Sequence, residues 1–505
     1  MSGTHIVAID QGTTGSRALV FGPGGRLIAS AYEEFPQYFP RPGRVEHDAA
    51  EIWRSVTATL AAAIDEAGID ASEVGAVGIT NQRETTVLWD RATLEPAARA
   101  IVWQDRRTAA RCDELRGTPE AEMIRRKTGL LVDPYFSATK IEWLLASDPD
   151  LSRRAAAGEL AFGTIDSWLI ARLTGGAVHA TDPTNASRTL LYSLDSAGWD
   201  SELCALFGVP EPLLPEIRSS AGDFGTTDAA AAGFEAPIAG VAGDQQAALF
   251  GQECWSAGSA KNTYGTGAFL LLHTGEERGP DIDGVLTTAA CGPDGGLTFA
   301  YEGAILVAGA AIQWLRDGLG LIETAEESED LAEGLDDAGG VVFVPALTGL
   351  GTPYWEPEAR GAFFGLTRGT TTAHLVRAVL ESMAQSTADV IEAMTGAGGL
   401  SLTALRVDGG AARNDWLMQQ QADLIGHTVI RPEAAELTAI GAAGLAGVGS
   451  GLWEGAKELA VARGGEREFE PAADAPERAE RRRHEWKRAV DAVLVWTRDG
   501  QRGAE

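Results

Sequence analysis

The chain has 505 residues, of which 45% are hydrophobic and 22% charged, a balance typical of a globular protein and not of a disordered one. Its length predicts two or three domains. The formal net charge of −31 repels nucleic acid and anionic membrane surfaces, so both are poor candidate partners.

The cysteines and the N-terminus indicate the compartment. The four cysteines form no CxxC pair, which argues against a zinc site and a disulfide framework and favours a reducing cytoplasm. The N-terminal residues lack the basic segment of a signal peptide. The longest stretch of low polarity, Ala439–Trp453, is too short and too rich in glycine to cross a bilayer. We expect a cytoplasmic protein without membrane insertion.

The chain begins with the pattern of a strand, a turn and a second strand. Ile6–Ile9 is apolar, Gln11–Arg17 is a polar stretch with glycine and threonine, and Ala18–Phe21 is apolar again. A similar unit, with the same Gly-Thr pair in its turn, recurs at Asn262–Leu272. The two units lie about half the chain length apart, which suggests two domains of related design.

Helical and strand patterns alternate along the rest of the chain. Helices are predicted at Ala49–Ala67, Ile141–Ala146, Ile305–Leu315, Thr372–Met394 and Pro476–Asp499, and strands at Val74–Thr80, Thr85–Trp89, Ile238–Ala242, Val341–Pro345 and Leu405–Val407. This mixture predicts an α/β fold. We place the domain boundary near residue 250, which gives domains 1–250 and 251–505, and we expect the last helix to pack on the second domain.

The first turn, from Asp10 to Arg17, has the composition of a phosphate-binding loop. Glycines allow successive backbone N–H groups to converge on an anion, and the hydroxyl side chains add donors. Arg17 adds a positive charge, and Asp10 at the strand end can hold a divalent cation. A plain hairpin turn explains the same residues, so this loop alone does not decide between the two.

Two further glycine-rich turns are Tyr264–Gly267 and Val407–Ala411. The second lies at the end of an apolar strand and could let a flat ligand such as adenine approach the backbone closely. A simple turn again accounts for either one. The sequence has no Walker A motif and no G-x-G-x-x-G, which counts against a P-loop and a dinucleotide site.

The order of these turns resembles a known superfamily. The DxGTT turn, a later GDQQ, YGTG and VDGG are similar to the sugar-kinase, actin and heat-shock ATPase superfamily, and within it to the carbohydrate kinases that include glycerol, xylulose and gluconate kinases. Tyr135–Ser147 and Gly361–Glu381 are similar to the two signatures of these kinases, although Ala146 and Ser147 stand where polar or acidic residues are usual. The resemblance covers about residues 5–450.

A finer set of motifs is similar to the glycerol kinases within this family: Asn81–Thr86, Ile101–Arg107, Asp133–Phe136, Ala242–Leu249 and Val307–Trp314. The resemblance implies two domains of duplicated ribonuclease-H-like (actin-like ATPase) fold with a cleft between them. The first domain would bind glycerol and phosphate, and the second the nucleotide. The implied cofactors are ATP and Mg²⁺, the implied substrate is glycerol, and a homo-oligomer, a dimer or a tetramer, is expected.

The same resemblance implies roles for individual residues, with Asp244 as the general base that takes the proton of the substrate hydroxyl. The transferring phosphoryl group would meet Thr13, Thr14, Gly15 and Arg17; glycerol would be surrounded by Arg83, Glu84, Trp103, Tyr135, Asp244, Gln245 and Phe269; the nucleotide would be bound by Thr266, Gly309, Gln313, Gly410 and Asn414; and Asp10 and Asp244 would lie nearest the magnesium. Three positions depart from the pattern. Gly15 replaces a usual serine, and Arg413 and Asp415 flank Asn414 where smaller or amide residues are usual.

The residue types suit a small polyol. Each hydroxyl both donates and accepts, so Arg83, which only donates, and Glu84, which only accepts, can satisfy two neighbouring hydroxyls. A surface ion pair is the other explanation for this dipeptide. The main alternative functions are phosphorylation of another small polyol or ketose, such as xylulose or erythritol, and a non-metabolic ATPase of the chaperone or filament type. A chaperone would carry a separate peptide-binding domain, which is not recognisable in this sequence.

Overall fold

The computed structural model describes residues 3–502. The strands are β1 (His5–Gln11), β2 (Gly15–Phe21), β3 (Leu27–Glu34), β4 (Glu46–His47), β5 (Val74–Asn81), β6 (Val87–Asp90), β7 (Ala100–Ile101), β8 (Leu160–Gly163), β9 (Ala180–Thr181), β10 (Tyr192–Ser193), β11 (Gly198–Trp199), β12 (Glu216–Ile217), β13 (Ile238–Gly243), β14 (Ser259–Tyr264), β15 (Ala268–Gly275), β16 (Leu286–Cys291), β17 (Leu297–Ile305), β18 (Val342–Val344), β19 (Ala362–Phe364), β20 (Ala404–Asp408), β21 (Val429–Pro432) and β22 (Glu466–Phe469).

The α-helices are α1 (Ala49–Ala67), α2 (Ala109–Leu115), α3 (Pro119–Thr128), α4 (Ser137–Ser147), α5 (Pro149–Ala156), α6 (Ile165–Leu173), α7 (Pro183–Ala186), α8 (Ser201–Leu206), α9 (Ala229–Ala232), α10 (Asp244–Gly251), α11 (Gly309–Gln313), α12 (Glu327–Glu333), α13 (Thr372–Gly398), α14 (Asp415–Ile425), α15 (Leu437–Ser450), α16 (Ala456–Arg463) and α17 (Ala475–Arg502). No helix within residues 3–502 combines the length and the apolar character that crossing a membrane requires.

The first half of the chain builds a sheet in the order β13-β5-β1-β2-β3. Strands β1, β5 and β13 run parallel, and β2 is antiparallel to both β1 and β3. The side chains of β1 point alternately to the two faces of the sheet, and both faces are buried. Val7 and Ile9 pack in the cluster that contains Ile52 and Val56 of α1, while the opposite face packs on a helix from the second half of the chain.

The second half builds a larger sheet in the order β16-β17-β15-β14-β20-β21-β22. Its five inner strands, β17-β15-β14-β20-β21, repeat the order and the directions of β3-β2-β1-β5-β13 in the first sheet. The similar turns identified in the sequence join β1 to β2 and β14 to β15, the equivalent strands of the two sheets. The predicted α/β class and the predicted duplication are therefore confirmed.

Helix α15 belongs to the second half of the chain but packs on the first sheet. Ile440 lies in one cluster with Ile6 and Ala8 of β1. The contact is close because glycines line it: a Cβ added at Gly78 of β5 would lie 2.2 Å from the Ala442 carbonyl oxygen. The low polarity of Ala439–Trp453 thus reflects burial between strands and helices. A boundary near residue 250 separates the two sheets, but the chain later returns to the first one.

Three local predictions differ from the structure. The polar stretch Gln11–Arg17 is mostly strand, because β1 and β2 extend into it and leave a turn of only three residues. Ile305 ends a strand, and the helix predicted from it begins at Gly309, since an apolar run does not distinguish the two by itself. The high charge of Glu466–Arg483 predicts a solvated linker and helix face, but this stretch contains the edge strand β22 with Phe469 buried. The last helix does pack on the second half, through Trp486 and its apolar neighbours.

Candidate active site

The carboxyl ends of β1, β5 and β13 meet at one edge of the first sheet, because these strands are parallel neighbours. Asp10 lies near the end of β1, Arg83 and Glu84 follow β5, and Asp244 follows β13. The side-chain amide of Gln82 donates to the backbone oxygen of Gly12 at 3.1 Å and so ties the segment after β5 to the turn after β1. Candidate phosphate and substrate residues from three distant stretches of sequence are thereby brought together.

Arg83 is buried and contacts residues from both halves of the chain. Its Nη1 donates to Glu302 Oε2 at 2.6 Å and to Gln246 Oε1 at 3.2 Å, and its Nη2 donates to Glu302 Oε1 at 3.1 Å. Its Nε lies 3.2 Å from Asp244 Oδ1. Burial alone would lower the pKa of Arg83, but Glu302 and Glu84 outweigh it and raise that pKa well above its usual value. The guanidinium is therefore a fixed positive charge.

Glu84 has a backbone conformation that is unusual for a residue other than glycine, with φ of 59°. The hydroxyl of Ser137 donates to its backbone oxygen at 2.9 Å, and its side-chain Oε1 accepts from Arg188 Nε at 2.6 Å. Burial raises the pKa of Glu84, although Arg188 and Arg83 act against this. A strained backbone held by surrounding contacts indicates a functional constraint on where this carboxylate points. The alternative of a surface ion pair is wrong, since Arg83 and Glu84 are both buried.

Two of the three candidate aromatic residues are in contact. The rings of Trp103 and Tyr135 meet edge to face with their centroids 5.6 Å apart, and Trp103 Nε1 donates to Thr13 Oγ1 at 3.0 Å. The aromatic pair thus lies against the first Gly-Thr turn. Phe269 is on β15 of the second sheet, and within residues 3–502 its ring contacts no other aromatic ring.

Asp244 is the first residue of α10, and its side chain is 34% exposed, which leaves it accessible beside buried Arg83. The preceding residue is fixed, because the backbone N–H of Gly243 donates to Thr184 Oγ1 at 2.8 Å. Gln245 is held through its Oε1, which accepts a hydrogen bond from Lys261 of β14. Both halves of the chain therefore position this segment.

Asp10 lies close to other carboxylates. Burial, then Asp244 and Glu436, raise the pKa of Asp10 to about 7, and Arg17 acts in the opposite direction. A divalent cation would relieve this repulsion. Magnesium in phosphoryl-transfer sites commonly takes one or two carboxylates and completes its shell with phosphate oxygens and water, so Asp10 and Asp244 fit this ion. No group of three or more His, Cys, Asp or Glu side chains in residues 3–502 forms a metal cage.

Arg17 has partners outside the turn. It forms an ion pair with Glu436, the residue before α15, and its guanidinium lies over the ring of Tyr32 at 5.1 Å from the centroid. Tyr32 also fills the space beside Gly15, since a Cβ added there would lie 2.5 Å from the Tyr32 hydroxyl. The glycine that replaces the usual serine is therefore accompanied by a tyrosine on the neighbouring strand.

The candidate nucleotide residues of the second half cluster around the turn between β14 and β15. The backbone N–H of Gly309 donates to the oxygen of Gly265 at 2.9 Å, and the N–H of Ala310 donates to the oxygen of Thr266 at 3.0 Å. Gly409, with φ of 90°, also approaches this turn, because a Cβ there would lie 2.3 Å from the Tyr264 oxygen. The turn at Gly265, the start of α11 at Gly309 and the segment at Gly409 are thus adjacent.

The remaining candidates lie at the edge of this cluster. Gln313 is exposed at the end of α11, and Asn414 caps α14 by accepting from the backbone N–H of Leu417 at 2.7 Å. A cavity of about 510 Å³ opens beside Gly410, and its lining includes Arg413, Arg431 and Arg467. Asp415 pairs with Arg431 and Arg467. Arg413 therefore lies in the cavity wall, whereas Asp415 balances the charge of two arginines of that wall.

Comparison with known proteins identifies the family. The description of the FGGY family of carbohydrate kinases, N-terminal domain, matches residues 5–251, and that of its C-terminal domain matches residues 260–450. The chain belongs to the FGGY family of carbohydrate kinases. Its curated relatives include the glycerol kinase of Methylibium petroleiphilum, 54% identical over 97% of this chain and 100% of that one, and the glycerol kinase of Dechloromonas aromatica, 53% identical over 98% of each.

Solved structures agree with this assignment. The FGGY kinase described here is similar to Plasmodium falciparum glycerol kinase crystallised with ADP, with a TM-score of 0.91 and 34% identity over 97% of this chain and 98% of that one. The ligand-bound xylulose kinase of Lactobacillus acidophilus shares the fold, with a TM-score of 0.87 and 21% identity over 97% and 98% of the two chains. The two-domain actin-like ATPase fold expected from the sequence is confirmed.

Sequence reasoning missed several residues at the site of this FGGY kinase. They are Arg188, Gln246, Lys261, Glu302 and Glu436, and each contacts a candidate residue directly. Two of them had a recognisable signal. Glu302 is a charged residue inside the largely apolar strand β17, and Lys261 is a charged residue inside β14; a charged side chain that is buried needs a partner. The partners themselves were not recognisable, because they lie in the other half of the chain.

Proposed function

We propose that this FGGY kinase transfers the γ-phosphoryl group of ATP to a terminal hydroxyl of glycerol, giving sn-glycerol 3-phosphate. The observation that carries the proposal is the convergence of Arg83, Glu84 and Asp244 beside the first Gly-Thr turn, under the aromatic pair Trp103 and Tyr135. The high identity to proteins named glycerol kinase supports glycerol as the polyol.

In this mechanism, Arg83 donates to and Glu84 accepts from the hydroxyls that do not react, which orients the substrate. The aromatic pair covers the carbon chain, with Phe269 and Gln245 as further walls. Asp244 accepts the proton of the attacking hydroxyl, since it is the exposed carboxylate beside Arg83. This division of roles explains why buried charges surround one accessible acid.

Phosphoryl transfer leaves the protein mainly positioning and charge stabilisation. The backbone N–H groups of Thr13, Thr14 and Gly15 and the hydroxyls of the two threonines face the transferring group, and Arg17 reaches it by leaving Glu436. Asp10 and Asp244 would hold magnesium, which would supply positive charge to the phosphate oxygens.

The nucleotide is assigned to the second half of the chain. Thr266, Gly309, Gln313, Gly410 and Asn414 bind it, with the arginine-lined cavity beside Gly410 as the site for its polar groups. Under this assignment, residues 1–250 form the glycerol and phosphate domain, and residues 251–505 form the nucleotide domain. A cytoplasmic location and a homo-oligomer stay predictions from the sequence and its resemblance.

A coupled assay of ADP release with MgATP and a panel of polyols and ketoses tests the proposal. We expect the highest kcat/KM with glycerol. A higher kcat/KM with xylulose or erythritol would show that the substrate is wrong while the family is right. ATP hydrolysis without any dependence on a polyol would instead support the alternative of a non-metabolic ATPase.

A further inference from the structure

Four buried charged side chains form a closed ring at the candidate polyol site. Arg83, Glu84, Arg188 and Glu302 are each at most 2% exposed. Going around the ring, Arg83 Nη1 bonds Glu302 at 2.6 Å, Arg188 Nη2 bonds Glu302 at 2.9 Å, Arg188 Nε bonds Glu84 at 2.6 Å, and Glu84 returns to Arg83 at 3.9 Å. The charges alternate and sum to zero, which is how four ions can be buried together.

Glu302 determines which donors of Arg83 stay free. A guanidinium has five N–H groups. Glu302 takes two of them in a bidentate pair, and Gln246 accepts a third from Nη1 at 3.2 Å. This leaves the Nε N–H, on the side of Asp244, and one N–H of Nη2 for substrate oxygens. Without Glu302, the guanidinium could rotate and offer other donors.

Arg188 determines which carboxylate oxygen of Glu84 stays free. It occupies Oε1 of that carboxylate, while within residues 3–502 no hydrogen bond to Oε2 is formed. The Arg188 guanidinium is itself fixed, since it lies 5.5 Å from the ring centroid of Tyr135 and 5.1 Å from that of Phe136. One carboxylate oxygen of Glu84 is therefore held in a constant direction as an acceptor.

The ring also joins the two halves of the molecule. Glu302 is on β17 of the second sheet, whereas the other three members belong to the first half. In the register of β15 and β17, Leu271 pairs with Glu302 and Phe269 pairs with Ala304, so Phe269 and Glu302 point to the same face of the sheet. The second sheet thus contributes both a charged anchor and an apolar side chain to this site.

We propose that Glu302 and Arg188 are positioning residues of the polyol site, which fix the free N–H groups of Arg83 and the free oxygen of Glu84 for a three-carbon polyol. The inference rests on the proposed function, because it concerns the same site. It predicts that loosening the ring weakens polyol binding and selectivity without changing nucleotide binding.

The first test is Glu302→Gln, which keeps the shape but removes the charge and one acceptor. Losing a buried hydrogen-bond partner of a charged group corresponds to roughly 10-fold to 10²-fold in binding, so we expect KM for glycerol to rise by that factor. We expect KM for ATP to stay within about twofold of wild type, since no nucleotide candidate contacts the ring. We also expect the ratio of kcat/KM for glycerol to that for erythritol to fall.

Arg188→Lys is the second variant. Lysine keeps the positive charge but lacks the planar fork that reaches Glu84 and Glu302 together. If orientation matters, KM for glycerol rises in this variant as well. If only the net charge matters, KM stays at the wild-type value and the positioning role of Arg188 is refuted.

A matched control separates positioning from stability. Asp389 is a buried carboxylate of the second half that accepts from Tyr354, Arg483 and Trp486 at 2.6–2.8 Å and forms no hydrogen bond or ion pair with a member of the ring within residues 3–502. We expect Asp389→Asn to lower the melting temperature and leave KM for glycerol unchanged. A lowered melting temperature with unchanged KM and selectivity in Glu302→Gln as well would overturn the proposal and leave the ring a purely structural feature.

Two further outcomes are informative. If Glu302→Gln does not fold, the test is made on Arg188→Lys by measuring how far glycerol raises its melting temperature. A rise as large as that of the wild-type protein would contradict the proposal. If the wild-type protein prefers another polyol, the proposed function fails by itself. The variants are then compared on that preferred polyol, where an unchanged KM in both would refute the positioning role independently.

Discussion

The polyol side and the nucleotide side of this FGGY kinase are built in different ways. On the polyol side, charged side chains at most 2% exposed hold one another through direct ion pairs. On the nucleotide side, the candidates are mostly exposed turns, in which Gly265, Thr266 and Gly410 present backbone. A small neutral ligand offers few contacts, so its site must be oriented in advance. A nucleotide carries several negative charges that backbone N–H groups and arginines can bind.

The overall charge sharpens this contrast. A protein with a net charge of −31 opposes the approach of an anion, whereas glycerol has no charge. Among the arginines that line the cavity beside Gly410, Arg431 and Arg467 are paired with Asp415, whereas Arg413 forms no ion pair within residues 3–502 and can offer its charge to an anion. The polyol side therefore has to orient a neutral ligand, whereas the nucleotide side has to attract an anionic one. The following substitutions are designed to separate these two tasks.

Asp244→Asn should have the largest effect. The amide keeps the size of the side chain but cannot take the proton, so we expect kcat to fall by roughly 10² or more, in line with the loss of a general base. Melting temperature and kcat are measured on the same preparation. A stable variant with nearly normal turnover would remove Asp244 from the mechanism and make Asp10 the next candidate base.

Arg83→Lys tests the polyol side alone. Lysine cannot form the bidentate pair with Glu302 and also face the substrate, so we expect kcat/KM for glycerol to fall by roughly 10-fold to 10²-fold. Binding of ADP, measured by calorimetry without glycerol, should be unchanged. A parallel loss of ADP affinity would show that the two sides are not independent.

Gly409 and Gly410 form a matched pair on the nucleotide side. An alanine at Gly409 meets the Tyr264 oxygen at a φ of 90°, so we expect Gly409→Ala to reduce the free energy of unfolding by about 1–3 kcal/mol. A Cβ at Gly410 has no neighbour within 4 Å, so Gly410→Ala should keep wild-type stability and weaken only ADP binding. Thermal melts and ADP titrations of both variants make the comparison. Equal destabilisation by the two would contradict this account of the turn.

Gly15→Ser should have the smallest effect. The new side chain displaces Tyr32, which is 49% exposed and can rotate away, and the contact between Tyr32 and Arg17 is lost. An exposed cation–π contact contributes about 0.5–1 kcal/mol, which is the loss of stability we expect. The control is the same substitution in a Tyr32→Ala background, where the serine should no longer cost stability. An undiminished cost there would place the clash elsewhere.

Much of the fold followed from local sequence patterns. The prediction of α1 at Ala49–Ala67 is confirmed residue for residue, because its apolar positions repeat with helical spacing and Asp48 caps its first turn. The duplicated strand pairs were recognisable from their Gly-Thr turns. These features depend on residues close together in the sequence, which is where periodicity and capping act.

The features that the sequence did not reveal depend on distant contacts. Glu302 reads as a charged residue in an apolar strand until Arg83 and Arg188 are placed beside it. The packing of α15 on the first sheet depends on glycines such as Gly78, because a side chain there would collide with the backbone of α15. The sequence around Gly78 does not indicate this contact. The pairing of Arg17 with Glu436 likewise joins two residues that are distant in the sequence. Pairings of this kind have no local signature.

The buried ring of Arg83, Glu84, Arg188 and Glu302 implies that the polyol site is assembled before the nucleotide binds. Titrating glycerol into the nucleotide-free protein by isothermal calorimetry tests it directly. We expect measurable binding with an affinity of the same order as KM for glycerol, and the same affinity in Gly410→Ala, which disturbs only the nucleotide side. Absence of glycerol binding until ADP or a non-hydrolysable ATP analogue is added would contradict it.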